Sequence, residues 1–131
     1  MVEWAKKYVG IPYVMHSSSI DGCDCYGLVT LIFENEFGIK LPKYDNSYSP
    51  NSNDEEIIDI YNKEVCKWKQ VNKPKIGSVI YFTLSGHPKH VGVVISDKEF
   101  IHNLCSPQSS TIGDFTSNKW KRRIIGFYNY E

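Results

Sequence analysis

The segment Cys25–Phe37 sets the tightest limit on what this chain can fold into. Leu28, Val29, Leu31, Ile32, Phe33 and Phe37 cover most of a helix surface, so the helix they form is expected to be largely buried. Asp24 stands where a helix N-cap is wanted, and Gly38 where a C′ residue is wanted. The approach to this helix is polar and glycine-bearing, Asp21-Gly22-Cys23-Asp24, and it ends at Cys25. The first N–H groups of a helix lack partners inside it and carry the positive end of its dipole. A thiol placed there is favoured as thiolate, the form that attacks carbonyl carbon. Two later histidines, His90 in Lys-His-Val-Gly-Val and His102 in Phe-Ile-His-Asn, are candidates for a base and the group that orients it.

Length and charge narrow the remaining choices. At 131 residues the chain is expected to form a single domain over residues 1–131, large enough to bury about two-thirds of its unfolded surface. Fifteen Lys and Arg balance fifteen Asp and Glu, which gives no support to binding of nucleic acid or an anionic membrane surface. No window reaches the ~18 apolar residues of a membrane span. The first residues lack the apolar core and cleavage site of a signal peptide, so synthesis in the cytoplasm without Sec-type export is expected. Four cysteines are too few for a disulfide scaffold, and the thiols are read as reduced.

Along the chain, residues 3–9 read as a short helix with Trp4, Ala5 and Tyr8 on one face, ended by Gly10 and Pro12. Residues 13–22 read as loop, and so do His87 and the segment 41–53. Asn53 with Glu56 fits a capping box, and Ile57, Ile60, Tyr61 and Val65 follow at helical spacing. Strands are expected at 79–82, 91–95, 99–102 and 124–130, with 96–98 turning the second into the third. Helices first and an antiparallel sheet second make the class α+β.

At these residues the sequence resembles the NlpC/P60 family of cysteine peptidases, which cleave cell-wall peptidoglycan. Gly22-Cys23-Asp24-Cys25-Tyr26-Gly27-Leu28-Val29 is similar to the family's Gly-x-Asp-Cys-Ser-Gly-Leu-Val, with Tyr13 twelve residues ahead of the cysteine. Ile76-Gly77-Ser78 leading a strand, then His90-Val91-Gly92-Val93, then Phe100-Ile101-His102, follow the family's order in the second half. The chain departs from the pattern at Tyr26, at His16 and Ser17 in the loop, and at Ser78. A bulky residue at Tyr26 is similar to the phage-tail branch. The resemblance implies a papain-like fold, with N-terminal helices that carry the nucleophile packed on an antiparallel sheet.

The same resemblance implies hydrolysis of a peptidoglycan stem peptide at the bond after γ-D-glutamate, with action on the cell wall, phage-tail proteins as partners and carriage on a virion. No cofactor and no metal are expected. Cys25 would attack a carbonyl, His90 would take and return the proton, and His102 would hold the far nitrogen of His90. The Cys25 N–H and the Tyr13 hydroxyl would stabilise the oxyanion, each donor being worth ~3 kcal/mol. His16, Ser17, Asp24 and Tyr26 are the expected substrate contacts, with Asp24 also capping the helix.

Three alternatives stay open on the residues alone. One is a zinc site drawing on Cys23, Cys25, Cys66, His90, His102 and Cys105, against which stands the absence of a second closely spaced cysteine pair. Another is a non-catalytic tail or wall-binding module on the same fold. The third is another papain-like thiol enzyme, an amidase or acyl transferase.

Overall fold

The computed structural model describes residues 1–15, 17–42, 60, 62–84, 86–104 and 109–130. The expected capping box at Asn53 and Glu56 lies outside the described residues; further on, residues 62–65 are helical.

Helix α1 spans Cys25–Phe37, with the bounds its cap residues dictate. The Asp24 side chain accepts the Gly27 N–H at 2.7 Å, and Gly38 takes the left-handed conformation at φ 67°. Leu28, Val29, Ile32 and Phe33 are all but fully buried. At roughly 1.5–3 kcal/mol each, these four side chains contribute on the order of 10 kcal/mol before chain entropy is set against them. The N-terminal segment Glu3–Tyr8 forms the short helix expected there, of the 3-10 type. It is pinned to α1 by the Tyr8 hydroxyl donating to Glu36 at 2.5 Å and by the Lys7–Glu36 ion pair at 2.8 Å.

Eight strands occur among the described residues: β1 Ser18–Ser19, β2 Gly22–Cys23, β3 Lys69–Val71, β4 Val79–Leu84, β5 His87–Val94, β6 Glu99–Leu104, β7 Ser109–Asp114 and β8 Ile124–Asn129. β1 and β2 form a two-stranded antiparallel hairpin. The other six form one antiparallel sheet in the order β3-β8-β4-β5-β6-β7. His87, read from the sequence as loop, opens β5 and is exposed.

Side chains alternate across the sheet, and this divides the core in two. Val79, Tyr81, Val91, Val93, Ile95 and Ile101 join the cluster that contains α1 and Cys25. Ile80, Phe82, Val94 and Phe100 face the other way and pack with Phe115 and Trp120. Trp120 comes from a single helical turn at Asn118–Lys121.

Candidate active site

Cys25 is the first residue of α1, and the chain ahead of it is tied back on itself. β1 and β2 bring Ser18 opposite Cys23. The Asp24 N–H then donates to the Ser17 carbonyl at 3.2 Å, and the Cys23 N–H to the Pro12 carbonyl at 3.0 Å. Tyr13 forms a parallel bridge with Cys23, which sets its backbone two residues from the thiol. Gly27 is required at this crossing. A Cβ there would stand 2.0 Å from the Ser17 carbonyl oxygen and 2.9 Å from Asp24 Oδ1.

The expected substrate contacts fall into different places. Asp24 is buried and its carboxylate caps α1. The Tyr26 ring is buried, and its hydroxyl donates to the Pro42 carbonyl at 2.7 Å. It lines an apolar cavity with Val29, Trp68, Val79, Tyr81 and Tyr128. Ser17 is half-buried and contributes its backbone carbonyl to the crossing just described. His16 lies outside the described residues.

The two histidines meet. His90 Nε2 and His102 Nδ1 are 2.8 Å apart, because the β5–β6 hairpin sets residues twelve apart on neighbouring strands. Both rings are buried. Trp120 stacks on His90 at 6.1 Å and meets His102 edge-on at 4.9 Å. Phe82 lies against His90 and Phe100 against His102. Burial holds the His90 imidazole well below its usual range, with His102 adding to the effect. Burial also brings His102 down to about 4, with the Lys119 ammonium as a second cause. At neutral pH the pair is therefore uncharged. With the His90 proton on Nε2 and donated to His102, His90 Nδ1 is left as the acceptor, the tautomer a base needs.

The rings point to the face of β5 and β6 opposite Val91 and Ile101, the residues that share a cluster with Cys25. Among the described residues the polar partner of His90 is His102. The histidine pair is thus formed within the sheet, on the face that carries Trp120.

Cys23 is a different kind of cysteine. It is fully buried, and loss of solvation pushes its thiol up to about 11, so it stays protonated and unreactive at neutral pH. Cys66 is exposed, and Cys105 lies outside the described residues. Among the described residues no three His, Cys, Asp or Glu side chains gather as a metal site would require. No helix among them is long and apolar enough to cross a membrane.

Reasoning from the sequence overlooked Asn103. It is fully buried, and its Nδ2 donates to the carbonyls of Cys23 at 2.8 Å and Ile11 at 3.2 Å. Its signal was a polar residue two places after Ile101, on the face of β6 that strand alternation turns toward the core.

A buried helix that starts on a cysteine, packed on an antiparallel sheet that carries a hydrogen-bonded histidine pair, is a papain-like α+β architecture. The chain belongs to the NlpC/P60 family, whose model matches residues 10–129. It is similar to the gamma-DL-glutamyl hydrolase of Bacillus subtilis (strain 168), 30% identical over 134 aligned positions that take in 100% of this chain and 29% of the relative. It is also similar to the murein DD-endopeptidase MepS/murein LD-carboxypeptidase of Escherichia coli (strain K12), 25% identical over 114 residues, 87% of this chain and 53% of the relative. Among solved structures, NlpC2 from Trichomonas vaginalis shares the fold at a TM-score of 0.72 and 21% identity, over 97% of this chain and 44% of that one. The chain thus spans about half or less of the length of these relatives.

Proposed function

We propose that this domain hydrolyses an amide bond in a peptidoglycan stem peptide, through an acyl-enzyme on Cys25. The observation that carries the reading is the position of Cys25 as the first residue of a capped, buried helix, where the positive end of the helix dipole favours a thiolate. Two relatives named as a gamma-DL-glutamyl hydrolase and a murein endopeptidase and carboxypeptidase support that class of substrate. The bond after γ-D-glutamate is the proposed target.

In the proposed sequence the Cys25 thiol gives its proton to His90 Nδ1, and the sulfur attacks the amide carbon. The carbonyl π pair moves to oxygen, held by the Cys25 N–H and the Tyr13 hydroxyl. The C–N bond then breaks as His90 returns the proton to the leaving nitrogen. Water, deprotonated by His90, attacks the thioester and releases the acid and the thiol. His102, already 2.8 Å from His90 Nε2, stabilises the imidazolium of each half. The sequence requires the Cys25 thiol to come within hydrogen-bond reach of His90 Nδ1 in the substrate complex.

Digestion of purified muropeptides by wild type and by Cys25→Ala, read by mass spectrometry, tests the proposal. Fragments split after γ-D-glutamate from the wild type alone are expected. Cleavage at the sugar–peptide amide would keep the nucleophile and move the enzyme to the amidase class. No cleavage by a folded wild type would overturn the reading in favour of a binding module.

A further inference from the structure

We propose that Asn103 is a positioning residue for the reaction, a buried amide clamp that sets the nucleophile-bearing segment against the strand carrying His102. The inference rests on the function proposed above. Asn103 follows His102 in β6 and, by strand alternation, points to the opposite face. One strand thus presents His102 to His90 on one side and an amide to the approach of Cys25 on the other.

The Asn103 Nδ2 donates to the Cys23 carbonyl at 2.8 Å and the Ile11 carbonyl at 3.2 Å, and it stands 3.4 Å from Cys23 Sγ. Cys23 is two residues from Cys25, and Ile11 is two residues from Tyr13. The amide therefore ties together the two segments that supply the nucleophile and the proposed oxyanion donor. Ser110, opposite Asn103 in the β6–β7 register, secures the same N-terminal segment. Its hydroxyl accepts the Ile11 N–H at 2.8 Å and donates to the Tyr8 carbonyl.

What marks Asn103 as more than filling is its other atom. Oδ1 is buried and has no hydrogen-bond partner among the described residues. An unpaired buried acceptor is destabilising, and a Leu or Val in its place would avoid that penalty. Neither could donate to two carbonyls at once. The retained amide holds segments 11–13 and 23–25 in one arrangement, and a displacement of about 1 Å at a reacting group can lower turnover about a hundredfold.

The test compares wild type, Asn103→Ala and Asn103→Ser by three readouts: thermal melting, kcat and KM on muropeptides, and the pH profile of Cys25 alkylation by iodoacetamide. Exposed Cys66 serves as the internal control. Asn103→Ala is expected to lower kcat at least about tenfold with KM little changed, and to shift the Cys25 alkylation profile while Cys66 is unaffected. Asn103→Ser, which keeps one donor, should fall between the two, and it carries the comparison if the alanine variant does not fold. A folded variant with a lower melting temperature but with kcat and Cys25 alkylation within about twofold of wild type would overturn the proposal, leaving only a structural role. If wild type cleaves no muropeptide while the Cys25 profile still responds to Asn103→Ala, the clamp stands and the substrate reading fails.

Discussion

Gly27→Ala reverses a general rule at one position, and the reversal can be worked out from the structure. In an ordinary helix interior, replacing Gly by Ala stabilises by about 1 kcal/mol, because alanine is the better helix former. Here the new Cβ would stand 2.0 Å from the Ser17 carbonyl oxygen. That oxygen is backbone, and it is held by the Asp24 N–H at 3.2 Å. It can retreat only if the loop lifts away from the start of α1. The same Cβ crowds Asp24 Oδ1 at 2.9 Å, the atom that caps the Gly27 N–H. Overpacking costs roughly 1–3 kcal/mol and a lost N-cap about 1 kcal/mol. Set against the propensity gain, the net is a destabilisation of about 2 kcal/mol. For a domain of this size that lowers Tm by roughly 8 °C. Thermal melting by far-UV circular dichroism reads it directly. An unchanged or higher Tm would mean that the loop carbonyl does not rest on the helix.

Acid should unfold this protein through the histidine pair. Both imidazoles have depressed values in the fold, so as pH falls below about 6.5 the unfolded chain takes up protons that the folded one refuses, and stability is lost. For His102, brought down to about 4, the loss amounts to about 3 kcal/mol by pH 4, and His90 adds in the same direction. Urea midpoints between pH 7.5 and 4.5 should fall steadily, and a flat profile would contradict the buried neutral pair. His90→Ala should abolish muropeptide turnover in a folded protein, while His102→Ala should lower it more mildly, since His102 acts through His90; equal losses would show that His102 does more than orient its partner.

The parts of the fold legible in the sequence were those fixed by local rules. Asp24, Gly38 and the apolar run between them define α1 because cap chemistry and helical burial act over a few residues. The turn expected at residues 96–98 joins the strands of His90 and His102, and Ser96 closes it by accepting the Lys98 and Glu99 N–H groups. Strand β7 was missed because Ser-Ser-Thr-Ile-Gly-Asp has no apolar alternation; its backbone pairing with β6 makes it a strand. Residues 3–9 read as a helix from one apolar face, but six residues closed by Gly10 at φ 84° settle into the tighter 3-10 turn. The site was legible as residue types, not as arrangement. Nothing local to Cys25 or His90 says that strand alternation turns the imidazoles toward Trp120. Nothing local to Asn103 says that two carbonyls ninety-two and eighty positions earlier converge on it.

Whether Cys25 is an activated nucleophile can be measured by competitive alkylation. Wild type is treated with limiting iodoacetamide at pH 6–7, and each cysteine is quantified by peptide mass spectrometry alongside residual muropeptide hydrolysis. Cys25 exposes only 7% of its surface, whereas Cys66 is exposed and Cys23 is fully buried. Accessibility alone would therefore label Cys66 ahead of Cys25 and Cys23. Cys25 is expected to be labelled ahead of Cys66 despite its burial, with hydrolysis lost in proportion. Labelling of Cys66 ahead of Cys25, or full hydrolysis by protein capped at Cys25, would show that Cys25 is not the nucleophile.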